Sequence, residues 1–514
     1  MADPATFDLD TYAAEYSGRT AIQRLLQVAK LAPARRTKQA ALTRALEIIK
    51  RDTVDTELYR VARAQLEDVS SRMTNRDGEA PTGMVSNKND DDDDDDDDDD
   101  EAWLARTADA AQRTTEKLEA ELRNYSLNMI KESTRQTLLA MARHERARGD
   151  LAAAGRTLAK VRDYQSGAEH EVETYLSVIE VALTEGSYGV VLPTVIKAQH
   201  AIARLASSAV SSTTMSGVGA GVLTGEQIRE RERRQRAVQG VTAETGAKLA
   251  FAKGCALVAT GQWDAGVREL AGVRGRLGEW EGSIFSLSDI AMYIALAALA
   301  TLDRAQLKSL VLENTHVRYV MDHGGAPWTR QVVEAFVGAR YATVLQLLEA
   351  YRWRPTYDLH IHAQVPALLE TIRHRAYVQY FEPFQNVQLA RMAATFGVPT
   401  QGAEAEAEAF ERDVVGLVQA GKLGARVDDI KKVLYARNPD KRRALYRDTL
   451  QTGQIVQEST RQAFLRMQLH QAGILIETPQ DRKKRVAKVA GLGREGQGDL
   501  TYLEGSDEEM LQTA

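Results

Sequence analysis

The sequence predicts a mainly α-helical protein: a helical-repeat array, then a winged-helix module and a long terminal helix. Three observations carry that expectation. Proline is scarce, 11 in 514 residues, and proline breaks helix interiors because it lacks an N–H and clashes with the preceding turn. Apolar residues recur at i, i+3, i+4 and i+7 through much of the chain, the spacing of an amphipathic helix. Glycine-led breaks at Gly149-Asp150-Leu151, Gly186-Ser187-Tyr188 and Gly261-Gln262-Trp263 fall 37 and 75 residues apart, about one and two periods of a helical-hairpin repeat.

Residues 1–69 read as an N-terminal helical region, with Ile22, Leu25, Leu26 and Ala29 at helical spacing and a similar, less regular pattern at Ala45, Ile48 and Ile49. Residues 70–102 lose that periodicity and contain eleven consecutive aspartates, Asp90 to Asp100. Like charges repel and have nothing apolar to bury, so a disordered acidic loop is expected there. The net charge of −6 conceals this split, because outside the run basic residues outnumber acidic ones. Residues 103–283 read as stacked hairpins, a TPR-like α-solenoid whose match to the tetratricopeptide consensus is loose. Glycine suits the ends of its helices because it tolerates a left-handed backbone. The stretch SSAVSSTTMSGVGAGVLTG, residues 207–225, reads as a flexible insertion followed by a charged helix, EQIRERERRQR.

Residues 284–382 form a further helical block. Ser288 or Asp289 can cap the apolar helix that follows, and a second helix is expected from about Asp303. Val333, Phe336, Val337, Tyr341 and Val344 share one face of a third segment; Val365, Leu368, Leu369, Ile372 and Ala376 do the same in 360–381. Between 383 and 437 the pattern changes. FQNVQLARMAATFG and EAEAFERDVVGLVQAG read as two helices, Leu423, Ala425 and Val427 alternate, and Ile430 to Tyr435 is a second strand-like run. Two helices followed by a hairpin is the order of a winged helix. Residues 438–477 read as a long helix with a stripe at Leu465, Leu469, Ala472 and Ile476. Such a stripe after a complete domain suits a partner helix, with docking on its own chain as the competing reading. The polar tail, 478–514, is expected to be disordered.

Helical repeats leading into a winged helix and a terminal helix resemble the layout of PCI-domain proteins. The segments FDLDTYAAEYSGRTAIQRL near the N-terminus, SDIAMYIALAALATLDR (288–304), RHRAYVQYFEPFQNVQLARMAATFG (373–397) and GKLGARVDDIKKVLYAR (421–437) are similar to the family's COP9 signalosome members. The resemblance implies a non-catalytic scaffold, without cofactor, in the cytoplasmic and nuclear assembly that removes the ubiquitin-like modifier Nedd8 from cullin-RING ubiquitin ligases. It implies other PCI subunits, a separate zinc metalloprotease subunit and those ligases as partners. It also implies that the winged helix meets like domains, here through Leu423, Val427, Val433 and Leu434, and that the terminal helix enters a helical bundle through Leu465, Leu469, Ala472 and Ile476. A proteasome-lid scaffold and an RNA-associated PCI protein are the alternatives.

Signals of other chemistry are weak. The one cysteine, Cys255, lies in an Ala/Leu/Val-rich stretch and reads as a buried small hydrophobe. His360-Ile361-His362 matches the start of the metalloprotease motif of the resembled assembly, but the Ser and Asp positions that complete it are Glu370 and Arg373. Two histidines do not complete a zinc site, and a place at a helix start is expected for them. Gly491-Leu-Gly493-Arg-Glu-Gly496 fits a dinucleotide pattern without the strand and helix that it needs. Arg482, Lys483, Lys484 and Arg485 form a basic cluster that suits a nuclear-import signal, phosphate contact or a solvated tail. The second winged-helix helix, EAEAEAFERD, is acidic and repels phosphate, which disfavours nucleic acid. MADPATFDLD lacks the pattern of a signal peptide. The apolar run Ile290–Leu302 is shorter than the ~20 residues of a membrane span, so no membrane partner is expected.

Overall fold

Burial of one apolar stripe per helix organises the N-terminal layer. Four helices, α1 (Leu9–Ala14), α2 (Gly18–Leu31), α3 (Arg35–Asp52) and α4 (Thr56–Thr74), pack in sequence order around Tyr12, Ile22, Leu25, Leu42, Ala45, Ile49 and Tyr59. The computed structural model describes residues 7–74, 91–214, 243–273, 277–397, 404–437 and 441–473. The chain divides into two units, one ending at Ala436 and one starting at Arg437.

The expected acidic loop is helical at both ends. Helix α4 runs to Thr74, and α5 (Asp91–Leu127) starts inside the aspartate run. Negative side chains are favourable at a helix N-terminus, where unpaired N–H groups carry partial positive charge, and the run leads directly into a helical stretch. Its last member, Asp100, is buried beside the first layer. It accepts from Arg63 at 2.7 Å and is also bonded to Lys50 and Tyr59. Residues 75–90 lie outside the described residues.

Helices α6 (Lys131–Arg148) and α7 (Leu151–Val161), then α8 (Ala168–Glu185) and α9 (Tyr188–Thr214), form antiparallel hairpins. Helix α10 (243–259) leads into α11 (Trp263–Ala271). Gly149, Gly186 and Gly261 stand at the three expected breaks with φ of 94°, 79° and 86°. Helix α9 continues through residues 207–214, which were expected to open the flexible insertion. The rest of that insertion and the charged helix after it lie outside the described residues.

Helix α12 (Leu287–Thr301) is the centre of the larger unit. Every residue from Ser288 to Ala300 is buried, because α11, α14 (Thr315–His323), α15 (Pro327–Val337) and α18 (Val365–Phe381) surround it. Neither expected cap holds. Ser286 is the N-cap and accepts from the Asp289 N–H at 3.3 Å, while the Asp289 carboxylate accepts from the Ser286 N–H at 3.2 Å. This is a reciprocal capping box, begun one turn earlier than the apolar run suggests. The helix expected from Asp303 is one α turn, α13 (Arg304–Gln306), passing into a π-helical turn, Leu307–Leu312. Helices α16 (Tyr341–Ala350) and α17 (Trp353–Tyr357) complete the block.

The winged helix contains β1 (Asn386–Gln388), α19 (Leu389–Thr395), α20 (Glu404–Gln419), β2 (Ala425–Asp428) and β3 (Val433–Ala436). The sheet order is β1-β3-β2, antiparallel throughout. Residues 386–388, expected as the first turn of a helix, instead pair with β3. Val387 lies opposite Leu434, so its burial is a strand contact. The second strand-like run starts late, since Ile430 to Lys432 belong to the turn. In the second unit, α21 (Lys441–Gln471) is one continuous helix. The tail from residue 474 lies outside the described residues.

Candidate functional site

The winged-helix sheet exposes one face and two edges. Its register places Asn386, Tyr435 and Arg426 in one row and Gln388, Val433 and Asp428 in the next. Side chains alternate along a strand, so Leu434 points into the core while Tyr435 is 40% exposed. Leu423 is also in the core. Two of the four expected contact residues are therefore internal to the domain, and Val427 and Val433 are half-buried. The exposed apolar groups are instead Tyr435, Phe384 and Ile430, the last 96% exposed at the tip of the wing. The Asp428 carboxylate fixes that tip by accepting from the Ile430 and Lys431 N–H groups, both at 3.2 Å.

A second constellation lies deep between the N-terminal layer and the helical block. Arg24 comes from the apolar side of α2, flanked at helical spacing by Ala21, Leu25 and Val28. Its guanidinium donates to Asp289 at 2.8 Å and to Asp358 at 2.9 Å and lies 4.2 Å from the centre of the Tyr16 ring. Tyr16 donates to Asp289 at 2.7 Å. Asp358 accepts from Tyr293 at 2.9 Å, and from the N–H groups of His360 and Ile361 at 2.9 and 3.0 Å. Arg354 in α17 reaches Glu15 at 3.1 Å. Burial opposes ionisation of Asp358, but Arg24, His360 and the two N–H groups overcome it and hold its pKa below the usual carboxylate range. Burial pushes Asp289 upward, with Arg24 offsetting part of the effect, and pushes Tyr12 up to about 12.

The histidine pair separates, in a turn ahead of α18 rather than at the helix start. His360 is buried, 2.9 Å from the Tyr188 hydroxyl, and burial lowers its pKa to about 4. His362 faces solvent. Among the described residues no group of three or more His, Cys, Asp or Glu is placed to hold a metal, and no helix is long and apolar enough to cross a membrane. Cys255 is fully buried, which raises its pKa well above that of a free thiol.

A cavity of about 750 Å³ separates α2 and α3 from α6, α7 and α8. Arg19, Arg143, Arg146 and Lys248 line it together with Asp52, Glu173, Glu180 and Glu279. The layers meet at its edge, where Arg19 donates to Asp55 at 2.9 Å and to the Arg146 carbonyl at 3.3 Å. Gly149 is required there. A side chain at that position would lie 2.1 Å from the Asp55 carboxylate, and the left-handed backbone disfavours one as well.

In α21, Leu465 is 48% exposed and Leu469 half-buried. Ala472 falls just past the last helical residue, Gln471, so the helix does not carry the expected stripe to its end. Ile476 and the Arg482, Lys483, Lys484 and Arg485 cluster lie outside the described residues. Leu445, Tyr446, Leu450, Ile455, Val456, Phe464 and Met467 are exposed along the helix.

A helical array feeding a three-stranded winged helix defines a PCI-domain protein, and residues 348–438 match the PCI domain family. Residues 100–310 match the family described as 26S proteasome subunit RPN7. Along most of its length the chain is similar to COP9 signalosome complex subunit 1. It is 29% identical to the Arabidopsis thaliana protein over 463 residues, 90% of this chain and 89% of that one. It is 26% identical to the Emericella nidulans protein over 506 residues, 97% and 89% of the two chains. The Arabidopsis 26S proteasome non-ATPase regulatory subunit 6 homolog is 25% identical over 170 residues, 33% of this chain and 42% of that one.

Proposed function

We propose that the chain is a non-catalytic scaffold subunit of a COP9 signalosome, supporting removal of Nedd8 from cullin-RING ubiquitin ligases by a separate zinc metalloprotease subunit. The observation that carries this reading is the extent of similarity. It spans about nine-tenths of both chains for COP9 signalosome complex subunit 1 and one third of this chain for the proteasome subunit. The match to the proteasome family over residues 100–310 favours a lid scaffold as the second reading. The exposed wing and the apolar residues along α21 support a role in assembly, since large apolar patches mark interaction sites. The acidic start of α20 weighs against an RNA-associated role. The basic cluster Arg482–Arg485 supports nuclear as well as cytoplasmic residence.

Purification of the tagged full-length chain from its cells, with identification of its companions, tests the proposal. Several PCI subunits and one metalloprotease subunit of the signalosome are expected, and recovery of proteasome-lid components instead would transfer the assignment. The isolated chain is expected to release no Nedd8 from a modified cullin. Leu465→Asp with Leu469→Asp is expected to remove the chain from the assembly while its far-UV circular dichroism persists; full retention would exclude α21 as the docking element.

A further inference from the structure

The N-terminal layer and the helical block keep separate apolar cores, and the seam between them is closed by polar groups. Arg24 stands at its centre on the Asp289 and Asp358 carboxylates, and Tyr16 donates to Asp289 beside it. Around this centre the Ser17 N–H donates to the Gly282 carbonyl at 2.9 Å, the Thr20 hydroxyl to the Ser283 carbonyl, and Gln23 to the Thr184 carbonyl at 3.3 Å. Arg24 Nε is buried and faces no acceptor among the described residues. Apolar contact with the layer comes instead from two outside helices. Phe7 packs on Trp353 and Tyr357 of α17, with ring centres 4.9 and 5.2 Å apart. Trp103 of α5 packs on Tyr59, 5.1 Å away. Elsewhere the cavity of about 750 Å³ holds α2 and α3 apart from α6, α7 and α8.

This construction makes closure all-or-none. A half-open seam would leave a carboxylate dry and unmatched, which costs far more than the ion pair contributes. Fully parted, the same groups regain water, so the ion pairs resist complete separation only weakly. Packed surfaces of this kind take discrete rather than graded arrangements. We propose that the N-terminal layer, α1 to α4, is a latched module: Arg24 is the latch, and the layer swings off the helical block as a folded unit when the latch is withdrawn. The layer carries its own core for this movement, around Ile22, Leu25, Leu42 and Ile49. Asp100 supplies the pivot. It bonds Lys50 of α3 and Tyr59 and Arg63 of α4 to the start of α5, and α5 packs on α6 of the array. The open form presents Asp289 and Asp358 at the base of a slot that takes a guanidinium. The inference does not depend on which assembly the chain joins.

The test measures distances between paired nitroxide labels on the full-length chain by pulsed electron resonance. Labels at Arg36 in α3 and Glu370 in α18, both exposed, span the seam, while labels at Arg36 and Glu57 lie within the layer. The wild-type chain is expected to give one seam distance. Arg24→Ala is expected to move more than half of the molecules to a longer one, with the distance inside the layer unchanged. Millimolar guanidinium chloride, far below denaturing strength, is expected to restore the short distance in Arg24→Ala, whereas equal sodium chloride is not. Tyr16→Phe, which keeps its volume and loses the bond to Asp289, is expected to show the longer distance in a minority, and it carries the test should Arg24→Ala not fold. Arg135→Met is the control: it takes a buried cation from Glu132 and Glu173 inside the array and should leave the seam distance unchanged. The short distance alone in folded Arg24→Ala, or in Tyr16→Phe where that variant carries the test, would overturn the proposal. So would a broadened distance inside the layer of an otherwise folded chain, an equal response to Arg135→Met, or the same effect from guanidinium and sodium.

Discussion

Arg24 neutralises two carboxylates in a site from which water is excluded, and removing it would leave Asp358 without its cation and Asp289 with only Arg354, 3.9 Å away. Breaking a buried pair by deleting one partner costs about 3–5 kcal/mol. Arg24→Met is therefore expected to lower stability by that order in urea unfolding, more than loss of its stem packing would explain. His360 adds a pH dependence. Burial holds its imidazole neutral down to about pH 4, against 6.5 for the free group. As pH falls, the unfolded chain takes up this proton first. The contribution of His360 is complete above about pH 6.5 and is lost between 6.5 and 4, by up to about 3 kcal/mol. His360→Asn is expected to flatten that part of the curve of stability against pH. A signal for Arg24 exists in the sequence, a cation at helical spacing among Ala21, Leu25 and Val28, and it should have marked a buried ion pair. Its partners could not be found that way, because Asp289 and Asp358 lie 265 and 334 positions away.

At the scale of the element, long helices were legible and short strands were not. Helix α12 shows itself by an apolar run that is buried on every side, but its start depends on Ser286, outside the apolar pattern. Ser286→Ala should cost about 1 kcal/mol, measured as a shift in the unfolding midpoint, because it removes one half of the capping box. In the winged helix, the resemblance implied that Leu423 and Leu434 meet like domains, although strand alternation turns Leu434 inward and Leu423, just ahead of β2, also packs into the core. The sheet is only three or four residues deep, too short for a period of two to separate its faces from sequence alone. The wing tip was overlooked because Ile430 reads as the start of a strand. Ile430→Lys is expected to leave the melting temperature within about 1 °C, since the side chain is 96% exposed.

For the molecule as a whole, the order of repeat, winged helix and terminal helix followed from glycine breaks and changes of period. The docking of the N-terminal layer did not, since it depends on pairings across hundreds of residues. The two units allow a direct test. None of the described residues of α21 is buried, whereas the cores lie before Arg437. Ending the chain after Arg437 is thus expected to leave the thermal transition of the remainder unchanged. The lone thiol in α10 provides a chemical clock for that larger unit. Cys255 lies within its main core, so a maleimide dye can reach the sulfur only when the surrounding helices part. With no other cysteine in the sequence to obscure the signal, the dye uptake of the intact protein measures how often its interior opens.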